Sequence, residues 1–220
     1  MRLVIFDVDG TLVDSQAEIV AAMDHAHAAL DLAAPPRAEV LSIVGLSLDE
    51  AFARLHPALD PARRAALAAS YRDAFAALRA QDGDRSPLYP GAREALAGLA
   101  ARGDTRLAVA TGKSRRGLDK MLDKHGLRGV FASEQTADHH PSKPHPSMIH
   151  AALSETGADP RRTVMVGDTS YDMDMARAAG VHGIAVAWGY HDAAGLAADR
   201  LLTRFEDLPA LLDDLWEDRP

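Results

Sequence analysis

Short runs of β-branched and aliphatic residues recur along the chain, separated by longer stretches whose apolar positions return every three or four residues. The runs Arg2–Phe6, Thr105–Ala110, Val130–Ser133, Thr163–Val166 and Gly183–Ala187 read as strands, with Arg200–Thr203 as a short sixth. Glu94–Arg102, Arg116–His125, Ser147–Thr156 and Asp172–Ala179 read as helices between them. Gly103, Gly126, Gly157 and Gly180 follow these helices where a C-cap residue belongs. Strand and helix alternating in this way predict an α/β fold with a doubly wound parallel sheet.

The alternation breaks between Ser15 and Ser86. That segment is rich in Ala and Arg and has no convincing strand pattern. Its helical period runs over Ala17–Leu30, Leu48–Leu55 and Pro61–Arg79, with another helix start at Arg37. Asp60-Pro61 supplies an N-cap followed by proline at the first helical position. Ser86-Pro87 and Tyr89-Pro90-Gly91 mark the return to the α/β pattern. The predicted organisation is a core of residues 1–14 and 87–220, interrupted by a helical cap of residues 15–86.

Composition narrows the picture only where it excludes something. The 220 residues are 47% hydrophobic and 25% charged, as in ordinary globular proteins. A net charge of −8 disfavours nucleic acid or an anionic membrane surface as partner. The absence of cysteine excludes disulfides, thiol nucleophiles and Cys-ligated zinc. No apolar run nears the ~20 residues a membrane span needs. A strand pattern beginning at Arg2 leaves no room for a signal peptide, so a cytoplasmic location is expected. No apolar surface stripe stands out, which leaves monomer and homodimer both open.

The chemistry is concentrated in Leu3-Val4-Ile5-Phe6-Asp7-Val8-Asp9-Gly10-Thr11. A buried strand here ends in two carboxylates spaced i, i+2. Neighbouring carboxylates repel, so a proton or a cation must accompany them. Folding alone does not ask for that; phosphoryl transfer does, with one Asp to attack phosphorus, one to shuttle a proton and a divalent cation to neutralise both. Open α/β sheets bind ligands at the carboxyl ends of their strands. Three more clusters fall there: Thr111-Gly112-Lys113, Ser142-Lys143-Pro144, and Gly167-Asp168-Thr169-Ser170-Tyr171-Asp172. Together they offer a hydroxyl, glycine backbone suited to an anion, an ammonium and two further carboxylates. A hard, oxygen-ligated cation such as Mg²⁺ suits that set.

In this order and separation the four clusters resemble the haloacid dehalogenase superfamily of aspartate-nucleophile phosphohydrolases, and most closely its phosphoglycolate phosphatase-like group. The resemblance spans the whole chain, the inserted helical cap included. It implies that Asp7 attacks phosphorus to give an aspartyl-phosphate. Asp9 would then protonate the leaving oxygen and later activate water. Thr111 would hydrogen-bond the phosphoryl group, while Lys143 offsets charge and holds Asp7. Mg²⁺ would be held by Asp7, the Asp9 carbonyl and Asp168, with Asp172 behind. Gly10 and Thr11 would turn the chain toward the cap, and with Gly112 they are candidates for substrate contact. The family places a specificity loop at Val44-Gly45-Leu46-Ser47. Gly45 and Arg54, with Arg37 beside them, are therefore candidates for contacting a small phosphorylated metabolite, 2-phosphoglycolate first. Ser142 stands where the family commonly has Gly, a departure that leaves the catalytic groups alone.

Each element has a plainer reading. Asp9-Gly10 alone is a turn, Thr111-Gly112 a strand end, Lys143 a loop lysine, and Asp168 or Asp172 a helix-capping acid. Their conjunction on the right strand ends favours catalysis. His139, His140, His145 and His150 fit no helix face and read as polar loop residues; His25 and His27 read as solvated or packing residues of the first cap helix. Trp188-Gly189-Tyr190 reads as core edge. A sugar phosphomutase of the β-phosphoglucomutase type shares the Asp pair and cap but usually carries Val where Thr11 stands. A pyrophosphatase is a further possibility. A cap without lysine argues against Schiff-base chemistry. A non-catalytic module would have lost one of Asp7, Asp9, Lys143 or Asp168.

Overall fold

The computed structural model describes residues 1–82 and 86–217. Six strands form one sheet, β1 Arg2–Phe6, β2 Thr105–Thr111, β3 Ser133–Thr136, β4 Thr163–Gly167, β5 His182–Val186 and β6 Arg200–Leu202. They lie in the order β3-β2-β1-β4-β5-β6, and every pairing is parallel. Ile5 of the central strand sits between Ala108 and Met165. The strand period of two sends Val4 and Phe6 to one apolar layer and Leu3 and Ile5 to the other. A sheet buried on both faces has continuously apolar strands, which is why these runs stand out in the sequence.

Helices cover both faces. Leu96 and Leu99 of α5 (Ala92–Ala100) join the Phe6 layer, as do Met121 and Leu122 of α6 (Arg115–His125). The opposite layer takes Met148 and Ile149 from α7 (Ser147–Thr156) and Met175 from α8 (Ser170–Ala179). Helix α9, Leu208–Glu217, adds Leu208, Leu212, Leu215 and Trp216 to the first layer. The strand-and-helix pattern predicts no element after Thr203, although these four residues share one helical face. Gly126, Gly157 and Gly180 end their helices in the left-handed conformation. Gly103 does not: α5 stops earlier, at a right-handed Ala101 whose N–H returns to Ala97, while the Arg102 N–H returns to Leu99.

One strand is displaced from its predicted place. The expected run Val130–Ser133 is mostly approach: Phe131 is buried in the Phe6 layer, while the strand itself is the polar Ser133-Glu134-Gln135-Thr136. As an edge strand it pairs only with β2, through Ala108–Thr111. Its polar groups are satisfied locally, Gln135 donating to Ser133 and Glu155. Hydrophobic pattern therefore marked the loop that packs and missed the segment that pairs.

Between β1 and α5 the chain leaves the sheet. Leu12 and Val13 both donate to the Val8 carbonyl, at 2.9 and 3.0 Å, folding residues 8–13 into a tight loop. The outgoing Asp14 N–H then meets the Pro87 carbonyl of the returning chain at 2.9 Å. Residues between these crossings form α1 Gln16–Ala28, α2 Arg37–Ser42, α3 Leu48–Leu55 and α4 Pro61–Asp82. Asp60 caps α4 by accepting from Arg63 N–H at 2.9 Å. These helices enclose a separate apolar cluster around Met23, Val40, Phe52 and Leu67, which Tyr171 of α8 enters from the sheet side.

Candidate active site

All four sequence clusters arrive at the carboxyl edge of the sheet. Asp7 extends β1, its N–H donating to the Val166 carbonyl of β4. Its side chain is 1% exposed, and neither carboxylate oxygen has a hydrogen-bond partner. Lys143 Nζ lies 2.9 Å from Asp7 Oδ1 as an ion pair and donates to Asp172 Oδ1 at 2.7 Å. An ammonium buried this completely is stable only between such partners. Burial alone would lower its pKa, but the two carboxylates outweigh that and hold Lys143 above its ordinary range.

Asp168 and Asp172 are oriented from behind. Asp168 accepts from Thr11 Oγ1 and from the Tyr190 N–H, both at 2.9 Å. Asp172 closes a capping box with Thr169, accepting from its hydroxyl at 2.7 Å. Its plainer reading as a first-turn acid of α8 thus holds beside its ion pair with Lys143. Gly10 has φ +82°, and a Cβ there would lie 2.2 Å from Asp168 Oδ2. No other residue fits that turn.

Asp7, Asp168 and Asp172 each present a carboxylate oxygen within 4.8 Å of the others. Three buried acids this close are electrostatically unfavourable unless a cation or protons intervene. Burial pushes the Asp7 carboxyl up to about 7, with Lys143 opposing and Asp172 adding to the rise. Burial also raises Asp168, reinforced by Asp172 and Asp7.

Asp9 is held quite differently. Lys113 Nζ donates to both of its oxygens, at 2.7 and 2.6 Å, and the Ser15 hydroxyl donates to Oδ1. Asp9 therefore stands outside the three-carboxylate group, on the cavity side of the strand end. The role of Lys113 is visible only in the fold, where β2 delivers it opposite β1. Ser15 gave no signal in the sequence.

Asp7, Asp9, Thr111, Gly112 and Lys113 form the floor of a cavity of about 440 Å³. Its opposite wall is helical: Ile19 and Met23 of α1, residues 43–49 before and into α3, and Tyr71, Arg72 and Phe75 of α4. Gly112 is where the two sides touch, since a Cβ there would lie 2.4 Å from the Gly45 carbonyl oxygen. Ser142 makes the second contact, its hydroxyl accepting from Ser47 N–H at 2.9 Å.

Not every predicted contact residue reaches this cavity. Gly45 lines it. Gly10 and Thr11 instead shape and hold Asp168. Arg54 faces away, donating to the Tyr171 hydroxyl at 2.7 Å with its guanidinium 5.1 Å from that ring. Arg37 pairs with Gln16. Among the described residues no metal-type cluster includes a histidine; His140 is bound by Ser147 and Gln135. His27 is wholly buried rather than solvated, its Nε2 2.7 Å from that of His56.

Comparison with known proteins agrees with this architecture. The family model for haloacid dehalogenase-like hydrolases matches residues 4–186. The chain is 35% identical to a phosphoglycolate phosphatase of Agrobacterium fabrum over 221 aligned positions, covering 97% of this chain and 93% of that one. It is 40% identical to the probable phosphatase IndB of Dickeya dadantii, over 86% of this chain and 82% of that one. Among solved structures, a hydrolase from Pseudomonas syringae superposes with a TM-score of 0.85 at 26% identity, covering 97% and 99% of the two chains. CbbY from Rhodobacter sphaeroides, in complex with phosphate, gives 0.81 at 28% identity with the same coverage. The chain belongs to the haloacid dehalogenase-like hydrolases, and within them to the phosphoglycolate phosphatase-like group. It is an enzyme of the phosphatase class.

Proposed function

We propose that the protein hydrolyses a small phosphomonoester with Mg²⁺, through an aspartyl-phosphate on Asp7. The observation that carries this is Asp7 itself: a buried carboxylate at the cavity floor whose two oxygens have no hydrogen-bond partner. For a purely structural aspartate, burial so placed would cost several kcal/mol, offset only by the ion pair with Lys143. Roles for the remaining residues follow from position. Asp7 attacks phosphorus; its oxygen bonds to phosphorus as the bond to the leaving oxygen breaks. Asp9, on the cavity side, gives its proton to that oxygen. Asp9 then takes a proton from water, whose oxygen bonds to phosphorus as the Asp7–phosphorus bond breaks and phosphate departs. Thr111 donates its hydroxyl to a phosphoryl oxygen, and Lys143 favours the ionised form of Asp7 and holds it in line.

The donor set fits Mg²⁺: hard oxygens, no softer ligand, and three mutually repelling acids that a divalent cation would relieve. Asp7, the Asp9 carbonyl and Asp168 would hold it, with Asp172 braced behind by Lys143. When bound, the cation would neutralise the carboxylates and the phosphoryl oxygens.

Helices α1–α4 act in this proposal as a cap that excludes water and selects the substrate. A cytoplasmic setting and a small phosphorylated metabolite as the partner, without nucleic acid or membrane, belong to the same proposal. The charge of −8 and the lack of cysteine support it. The relatives' names make 2-phosphoglycolate the reference substrate. The test is phosphate release with and without Mg²⁺, combined with rapid quenching of labelled substrate to trap phosphate on the protein. Label on Asp7, lost in Asp7→Asn, is expected. Metal-independent release that survives Asp7→Asn would sink the mechanism.

A further inference from the structure

The cap wall beside Asp9 is aromatic. Tyr71 and Phe75 sit one turn apart on α4, both lining the cavity, with ring centroids 5.8 Å apart and planes at 39°. Phe52 braces Tyr71 edge-on from within the helical cluster, at 6.2 Å and 72°. Lys113 ties this pair to the chemistry: its Nζ lies 2.6 Å from Asp9 and 5.8 Å from the Phe75 ring centre. On the phosphatase reading above, on which this inference rests, Asp9 protonates the leaving oxygen. The leaving group must then depart beside Phe75.

The rest of the wall sharpens what that group is. Ile19, Met23, Val44 and Leu46 continue the apolar surface, while Arg72, next to Tyr71 on α4, Arg116 and Lys120 add positive charge to the same lining. The leaving group of 2-phosphoglycolate is two carbons long and ends in a carboxylate. It has one methylene to set against this wall, so the two rings would add little to its binding. A cavity of about 440 Å³ lies instead in the range of sites for larger ligands, whose lining is mostly apolar and aromatic.

We infer that the preferred substrate is a monophosphate whose leaving alcohol carries a planar unsaturated ring, selected by Phe75 and Tyr71. The ring stacks on α4 while the phosphate reaches Asp7.

Four alkyl phosphates test this without differences in leaving-group class: uridine 5′-phosphate and pyridoxine 5′-phosphate with rings, 2-phosphoglycolate and glycerol 3-phosphate without. The ring compounds are expected to lead by roughly tenfold or more in kcat/KM, the scale of one stacked ring. Phe75→Ala should collapse the ring-to-ringless ratio mainly through KM, and Phe75→Tyr should restore it. Saturation-transfer NMR of uridine 5′-phosphate on Asp7→Asn protein provides a second readout if the alanine variant folds poorly. Its strongest effect should fall on the base protons. A profile led by 2-phosphoglycolate, or a ratio unchanged in both Phe75→Ala and Tyr71→Ala, overturns the inference and leaves the phosphatase standing. No phosphate release from any of the four, or from acetyl phosphate, would overturn both.

Discussion

The carboxyl edge of the sheet and the helical wall opposite it share one cavity but are built by opposite rules. At the sheet edge, charged groups are buried and each is positioned from distant parts of the chain: Lys143 between Asp7 and Asp172, Asp168 between Thr11 and Tyr190. On the helical side the lining is largely apolar and aromatic. It meets the sheet side through polar contacts such as Ser47 with Ser142 and Arg54 with Tyr171. The first arrangement stores repulsion that a bound cation can release. The second stores little and can be exchanged residue by residue. On the proposed reading, chemistry is held by a costly, over-determined construction, and selection by an inexpensive one.

Perturbations on the two sides should therefore differ in kind. Asp7→Asn is expected to lower kcat by at least about 10³-fold, with thermal unfolding unchanged or shifted upward because one buried charge is gone. A fall in stability would show that Asp7 is structural. Lys143→Met should destabilise by about 3–5 kcal/mol, since it leaves buried carboxylates without their cation. Calorimetry in chelator reads this as a lower Tm, and added Mg²⁺ should recover part of it. In the wild-type protein, Mg²⁺ at 100 times its Kd should add about 2.7 kcal/mol over chelated protein, and Asp168→Asn should abolish that increment.

Changes on the helical side should be smaller. Arg54→Ala is expected to cost about 1 kcal/mol by losing its bond to Tyr171, with the ranking of substrates preserved. A selective loss of carboxylate-bearing substrates would instead return Arg54 to the binding site. The His27–His56 pair should make this region acid-sensitive. Burial, then His27, lowers the His56 pKa below its ordinary value. The unfolded chain therefore binds the proton more readily, and stability falls as pH drops through the ordinary histidine range. Hydrogen exchange between pH 7 and 5 should show α1 and α3 losing protection before the sheet, and His56→Gln should weaken that difference.

The same contrast explains what could be read from the sequence. Asp7, Asp9, Asp168 and Lys143 were legible because each lies at the end of an apolar strand or in the loop beyond, where pattern and chemistry coincide. Lys113 and Ser15 were not, because their approach to Asp9 depends on the pairing of β1 with β2 and on the path of the exit loop. Arg54 misled for a related reason. Its position near residues 44–47 is set by sequence, whereas its direction is set by Tyr171 entering from α8. Ser142, read as a mild departure, proves to hold the loop through Ser47 N–H.

Tryptophan placement adds a practical consequence. The chain has two tryptophans. Trp216 is buried beneath the Arg2 guanidinium, 4.7 Å from its ring. Trp188 instead donates its indole N–H to the Thr11 carbonyl, and Thr11 holds Asp168. A cation drawing on Asp168 therefore pulls, through one residue, on the indole of Trp188. The protein thus carries its own fluorescent reporter one residue from the proposed Mg²⁺ position, with Trp216 as an internal standard. Titration of the unlabelled enzyme should report occupancy before any substrate is known.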